Sequence, residues 1–352
     1  MSLATLSITG LRNLIGVDIQ AGPGVNWLEG ANGAGKTSVL EAIYLLARGR
    51  SFRSQRIASV VQHGAEQLRV VACRRDNQRR LGMERSVGGW RGRIDGVDTQ
   101  RLSEFAQALP LVLMEPDSHR LVDGGPEARR QFLDWQLFHV EPHYLALWRR
   151  YARFLKQRNA ALKAGAQDAV LQAIEAPMVL AGERLNQLRQ SQADAVAVQF
   201  ERLNAELHFR LPGSLVLRYR PGHPAELDLA EAVSGYRERD RELGYTRRGP
   251  HRADLVLTCS GRPAAEELSR GQQKLLALLL LLANLRLVAE AAPVAPLLLL
   301  DDPVSELDAP HLELLLDWLI GQGLQVWVTA TVACPRPATV FHVEQGKIRP
   351  VV

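Results

Sequence analysis

Residues 27–41 read WLEGANGAGKTSVLE, and Gly30, Gly35, Lys36 and Thr37 fall in the spacing G-x-x-x-x-G-K-T. That spacing is the phosphate-binding loop of nucleotide hydrolases. Gly30, Gly33 and Gly35 let the backbone turn where a β-carbon forbids it, so the N–H groups from Ala31 and Asn32 through Ala34 to Ser38 can face a phosphate. Lys36 is placed to reach the β- and γ-phosphates, and Thr37 to put its hydroxyl on Mg²⁺. The flanks match the requirement. An extended run, 24–29, precedes the loop, and a helical run, 38–48, follows it with Val39, Leu40, Ile43, Tyr44 and Leu46 at helical spacing. The helix N-terminus adds its positive end to the anion site. An ordinary Gly-rich turn with a solvated lysine needs neither flank.

A second stretch completes this reading. Residues 296–302, PLLLLDD, run four leucines into two aspartates, the pattern of a buried parallel strand ending where α/β sheets bind ligands. Asp301 is expected to hold Mg²⁺ and Asp302 to orient or deprotonate the attacking water, making Asp302 and Lys36 the catalytic pair. Residues 268–274, LSRGQQK, lead directly into an apolar helix over 275–288. Ser269 and Gly271 stand at its start, where a hydroxyl and free N–H groups suit a phosphate; a serine that caps its own helix is equally compatible with the pattern.

Outward from these motifs, the chain reads as an α/β protein. Strand patterns at 3–9 and 15–20 flank a turn at 10–13. Runs at 68–73, 79–86 and 90–94 form an antiparallel meander rich in arginine: Arg69, Arg74, Arg75, Arg79, Arg80, Arg85, Arg91 and Arg93. Such a face is either solvated or a surface for phosphate backbones. Between them, Arg48 to Arg53 is a basic segment carrying Phe52, close to the nucleotide. A short strand at 109–114 precedes a helix begun by Pro126. Helical periodicity then continues to about residue 207, with a kink expected at Pro177 and a basic cluster of Arg149, Arg150, Arg153, Lys156 and Arg158 as a candidate DNA contact. About 85 residues of helix folded back on themselves reach less than about 65 Å in each direction, too short for a long coiled-coil arm. Strands resume at 215–219 and 255–259. The expected domains are an ATPase head from 1–120 and 208–352, with a helical lid at 121–207 inserted in it.

The length of 352 residues suits two to three domains, and 46% apolar content supplies a proper core. Three scattered cysteines, Cys73, Cys259 and Cys334, have no metal spacing and suit a reduced, cytoplasmic protein. The N-terminus lacks the basic and apolar regions of a signal peptide. The most apolar run, 275–283, is about half of a membrane span, so no membrane is expected. A net charge of +5 and a pI of 9.3 permit nucleic-acid binding. Lysine occurs only at 36, 156, 163, 274 and 347, which singles out Lys36 and Lys274.

LSRGQQK resembles the signature motif of the ATP-binding-cassette superfamily. The resemblance implies that Ser269, Gly271 and Gln272 of one subunit complete the ATP site of another, so that two copies sandwich two nucleotides. Ser305-Glu306-Leu307-Asp308 resembles the D-loop of that interface. Gly49-Arg50-Ser51-Phe52-Arg53, the stretch from Glu115-Pro116-Asp117 through 121–126 to 129–134, Gly249-Pro250-His251-Arg252-Ala253-Asp254, and Asp301-Asp302 narrow the resemblance to the RecF family, short-armed relatives of the SMC and Rad50 heads. It covers essentially the whole chain. It implies a P-loop NTPase of ABC/SMC-head type with an antiparallel β subdomain and an inserted α-helical lid. It further implies an ATP- and Mg²⁺-dependent homodimer that binds duplex DNA or single-strand/double-strand junctions in recombinational repair and replication restart, with a RecR-type mediator in recombinase loading.

Departures from transporter ATPases set expectations for rate. The usual catalytic glutamate is Asp302, one methylene shorter. Thr329-Ala330-Thr331 stands where transporters carry a histidine, no glutamine follows the strand at 109–114, and Pro303 follows the acidic pair. Slow, DNA-stimulated hydrolysis, a timer rather than a motor, is expected. The alternative is the ATPase subunit of an ABC membrane transporter. The helical insert and LSRGQQ in place of LSGGQ count against it.

Overall fold

Leu297–Leu300 forms a strand whose four side chains are all fully buried, as a strand covered on both faces must be. It pairs in parallel with Leu111–Met114 on one side and Val326–Ala330 on the other. Val326–Ala330 pairs in parallel with Val25–Glu29, which pairs in parallel with Thr339–Glu344; the edge strand Lys347–Pro350 closes the sheet antiparallel. The phosphate-loop strand and the acidic strand therefore share one sheet, separated by Val326–Ala330 alone, and both end at the same edge. A C-terminal hairpin borders the loop strand, and Gln345 and Gly346 at positive φ are its turn.

The computed structural model describes residues 2–351. They divide into two compact units. The first contains the described residues up to Ser118, Glu206–Phe209, and those from Val288 on. Besides the parallel sheet it holds a six-stranded antiparallel sheet in the order Leu14–Gln20, Leu3–Leu11, Gln67–Arg74, Arg80–Ser86, Gly89–Ile94, Val97–Thr99. Alternation buries Leu68, Val70, Ala72, Leu81 and Met83. The helix Lys36–Arg48 lies in the core of both sheets, with Val39, Leu40, Ile43 and Leu46 fully buried.

The meander arginines are largely matched by carboxylates. Arg69 meets Glu84 at 3.7 Å, Arg79 meets Asp95 at 3.0 Å, and Arg91 and Arg93 share Asp98 at 3.1 and 2.5 Å. Arg74 is buried against Asp76 at 2.5 Å and donates to the Ala108 carbonyl at 3.2 Å. The pairing of Arg69, Arg79, Arg91 and Arg93 is what a solvated, charge-balanced face would have.

The second unit, His119–Ala205 with Arg210–Leu287, is larger than the helical insert expected at 121–207. It holds the helices Pro126–Val140 and Tyr144–Lys163, most of Asp168–Leu207, the small sheet Arg262–Pro263, Asp254–Cys259, Leu215–Arg220, and the helix start Arg270. Several interactions bind the later residues to the helices, two of them near the small sheet and in the helical core. Arg129 makes a two-pronged bond to Asp254, at 2.7 and 3.1 Å, and Leu229 and Val233 pack with Leu137, Tyr151 and Met178. Pro177 lies inside the 40-residue helix without ending it.

One residue of the proposed basic cluster is removed from any DNA contact. Arg158 is fully buried, bonded to Glu175 at 2.9 Å, Asp240 at 2.6 Å and Thr246 at 2.9 Å. Helical periodicity gives the face but not what packs on it. Arg149, Arg150, Arg153 and Lys156 are exposed.

Candidate nucleotide site

The loop has the backbone its glycines allow. Gly30, Gly33 and Gly35 have φ of +150°, +79° and +119°. At Gly30 the reason extends beyond the loop, since a β-carbon there would stand 2.2 Å from the Val343 carbonyl oxygen of the C-terminal hairpin. The same hairpin sends the Gly346 N–H to the Ala34 carbonyl at 2.8 Å, and Asn13 Nδ2 donates to that oxygen at 3.1 Å. The loop is thus held from two sides before any ligand arrives, which suits a preorganised anion site.

Lys36 Nζ donates to the carbonyls of Gly30 at 2.7 Å and Ala31 at 2.9 Å. Burial pulls its ammonium below the usual lysine range, and the charges of Asp302 and Asp301 pull it back up. A buried ammonium held by two carbonyls sits ready to exchange one of them for a phosphate oxygen.

Thr37 Oγ1 donates to Asp301 Oδ1 at 2.8 Å, and Thr329 Oγ1 donates to the same oxygen at 2.8 Å. Thr329 Oγ1 in turn accepts the Asp302 N–H at 2.8 Å. The threonine on the intervening strand therefore fixes both aspartates. Asp302 itself has φ +50°, ψ +51°, a left-handed conformation costly for a residue with a β-carbon and typical of functional positions. Adjacent oxygens of an octahedral Mg²⁺ shell lie about 2.9 Å apart, so the Thr37 and Asp301 oxygens fit neighbouring positions of one. Mg²⁺ held by one or two protein oxygens commonly arrives with substrate phosphates.

Three further residues line this cleft of about 470 Å³: Arg12, Asn13 and Arg53, alongside Lys36, Thr37 and Asp302. The two arginines are organised by Glu41, a fully buried carboxylate on the loop's own helix. Arg12 grips it with two bonds, at 2.9 and 2.8 Å; Ser51 donates to it, and Arg53 Nη1 stands 3.7 Å away. The cleft gains two guanidinium groups steered by one carboxylate. The basic segment at 48–53 gave a signal for Arg53; nothing in the sequence linked Arg12 to Glu41.

The signature residues are placed differently. Ser269, Gly271 and Gln272 belong to the second unit and are not among the residues lining the cleft. Ser269 and Gly271 are exposed. Gln272 Oε1 accepts the Ser269 N–H at 2.9 Å, and Ser269 Oγ accepts the Gln272 N–H at 3.4 Å, a reciprocal cap of the helix. Capping is realised, and the Gly271 side of the helix start stays open, with nothing within 4 Å of a β-carbon placed there. In the D-loop stretch, Asp308 caps the helix Ala309–Gly321 by accepting the His311 N–H at 3.0 Å, and Ser305 is exposed.

A family described as the RecF/RecN/SMC N terminal domain matches residues 2–334. The solved structure of a recombination mediator protein RecF with ATP, from the RecFOR pathway, superimposes with a TM-score of 0.88 at 24% identity over 99% of both chains. The Smc head of Pyrococcus furiosus bound to the C-terminal domain of ScpA gives 0.58 at 16% identity, over 99% of this chain and 95% of that one. Fold and site together define an ABC-type ATPase with the architecture of an SMC head. Sequence relatives narrow this further. The DNA replication and repair protein RecF of Stenotrophomonas maltophilia is 43% identical over 364 residues, covering 99% of each chain. That of Xanthomonas axonopodis is 42% identical over 362 residues, covering 99% of this chain and 98% of its own. The chain belongs to the RecF family. The transporter alternative finds no support in these likenesses. Among the described residues no helix is long and apolar enough to cross a membrane.

Proposed function

We propose that this protein is an ATP-operated DNA-binding switch of recombinational repair and replication restart. The observation that carries the reading is the makeup of the cleft. It gathers the phosphate loop, Thr37 and Asp302 from one unit, with Asp301 bonded to Thr37, while Ser269 and Gly271 stand exposed on the other. Such a cleft is half of a sandwich, and Ser269, Gly271 and Gln272 of a second copy supply the other half. ATP then acts as the glue of a homodimer.

In this reading the loop N–H groups and Lys36 bind the β- and γ-phosphates, and Ser38 closes the N-terminal turn of the helix behind them. Thr37 and Asp301 hold Mg²⁺, which supplies neutralisation of phosphate charge when bound. Asp302 accepts the proton of the attacking water. Its short carboxylate and strained backbone suit slow turnover that reopens the dimer.

The relatives' names supply the DNA role, and the net charge of +5 agrees with it. Duplex DNA and single-strand/double-strand junctions are the proposed ligands and a RecR-type protein the proposed mediator, in the cytoplasm. Phosphate contacts would make binding weaken with salt and show little sequence preference. The test is molecular mass in solution, with and without ATP-Mg²⁺, for the wild type and Asp302→Asn, followed by addition of gapped duplex. The switch predicts a monomer that dimerises with ATP, a variant that stays dimeric, and DNA retained by the dimer alone. Association indifferent to ATP would remove the reading.

A further inference from the structure

We infer that a cleft in the second unit, walled by Arg218, Arg220, Arg247, Arg248 and Arg252, is a docking site for the phosphates of a DNA strand. It rests on the DNA-binding reading above and gives that reading a place. The cleft has a volume of about 770 Å³ and also carries Tyr245.

Its arginines differ from the carboxylate-paired arginines of the meander. None of the five guanidinium groups makes an ion pair or hydrogen bond among the described residues, whereas the meander arginines Arg79, Arg91 and Arg93 each meet a carboxylate within 3.1 Å. The carboxylate in the wall, Asp254, is taken by Arg129. Arg248 goes further: its Nε is buried with no hydrogen-bond partner. A buried donor without a partner is destabilising, and an incoming phosphate oxygen would satisfy it.

Two of the guanidinium groups lie against aromatic rings. Arg248 lies over the Tyr236 ring at 4.4 Å, and Arg252 over Tyr245 at 5.7 Å, distances at which a cation is attracted to the ring face. Two loops cross beneath them. The Gly249 N–H donates to the Gly222 carbonyl at 3.1 Å, and a β-carbon on Gly222 would stand 2.2 Å from the Gly249 oxygen. The arginine loop is pinned again from below. Arg189 donates to the Pro250 carbonyl at 2.7 Å, and His251 donates from Nε2 to Thr246 O at 2.9 Å while Nδ1 accepts from the Tyr151 hydroxyl at 2.7 Å.

A polymer fits better than a lone phosphate. Arg218 and Arg220 are exposed on one face of a strand and Tyr219 between them is buried. Residues two apart on a strand stand about 6.6 Å apart, of the order of one nucleotide step. Planar guanidinium groups suit phosphate oxygens, and the 39% exposed ring of Tyr245 offers a face to a base or sugar.

The experiment compares wild type, Arg218→Gln/Arg220→Gln and Arg252→Gln for binding of labelled gapped duplex across a salt series. Arg91→Gln/Arg93→Gln serves as control, and binding of a fluorescent ATP analogue reports the fold. The double variant is expected to flatten the slope of log K against log salt by about 2, to bind DNA more weakly irrespective of sequence, and to keep ATP binding; the control keeps the wild-type slope. Wild-type DNA affinity and slope in the double variant would overturn the site. A wild type that binds no DNA would instead remove the DNA reading itself. If the double variant kept DNA but lost polyglutamate, the cleft would belong to an acidic protein segment and the proposal would fall.

Discussion

Replacing Arg158 with methionine tests whether the basic helical cluster is a DNA surface or partly a structural core. The guanidinium is fully buried and satisfies Glu175, Asp240, Thr246 and the Val233 carbonyl. Glu175 keeps a second partner, Arg237 at 2.6 Å. Asp240, also fully buried, keeps only the Arg247 backbone N–H at 3.1 Å. The loss is therefore one buried carboxylate stripped of its cation, for which about 3–5 kcal/mol is the expected cost. The molecule has two units and need not unfold in one step, so the assay is local: native-state hydrogen exchange over Tyr144–Lys163 and Arg237–Leu243 in rising denaturant. Arg150→Met, at an exposed position of the same helix, should change protection by less than about 0.5 kcal/mol. Adding Asp240→Leu to Arg158→Met should recover much of the loss, since the unpaired charge goes with it. A loss under about 1 kcal/mol, or lower DNA affinity at unchanged protection, would refute the argument and return Arg158 to the DNA surface.

Three further outcomes are expected. Lys36→Arg should keep the fold and weaken ATP binding by roughly 10- to 100-fold, about 1.5–3 kcal/mol for a lost charge-assisted bond; titration with a fluorescent ATP analogue checks it, and wild-type affinity would deny Lys36 its role. Ser269→Arg should leave ATP binding to each monomer intact and abolish ATP-dependent dimers in a sizing experiment, because the bulk falls on an exposed helix start and not in the cleft. His251 is pushed down to about 4, chiefly by burial and against its bond to Thr246. Its unfolded value is near 6.5, so between about pH 6.5 and 4 the unfolded chain takes up a proton that the folded one refuses. Stability should fall as pH drops through that window, by up to about 3 kcal/mol, and then level off. His251→Gln should remove this component; equal pH profiles from denaturant unfolding of the two proteins would contradict it.

The sequence alone determined the fold class and marked the candidate nucleotide site. Gly30 to Ser38 and Leu297 to Asp302 are local patterns whose spacing is set by backbone geometry and by strands buried on both faces, so they survive without knowledge of neighbours. The meander and the Pro126 helix start were legible for the same reason. What only the tertiary structure decided depends on residues far apart in the chain. Gly30 is held to glycine by Val343, Asp301 and Asp302 are aligned by Thr329, and Arg12 and Arg53 are drawn to the cleft by Glu41. Arginine shows the limit most clearly. Arg158, Arg93 and Arg248 are alike in sequence, yet one is buried in a carboxylate network, one is paired at the surface, and one has a buried donor with no partner. A guanidinium's role follows from its burial and its counter-charge, and both are set by which distant segments the fold brings against it.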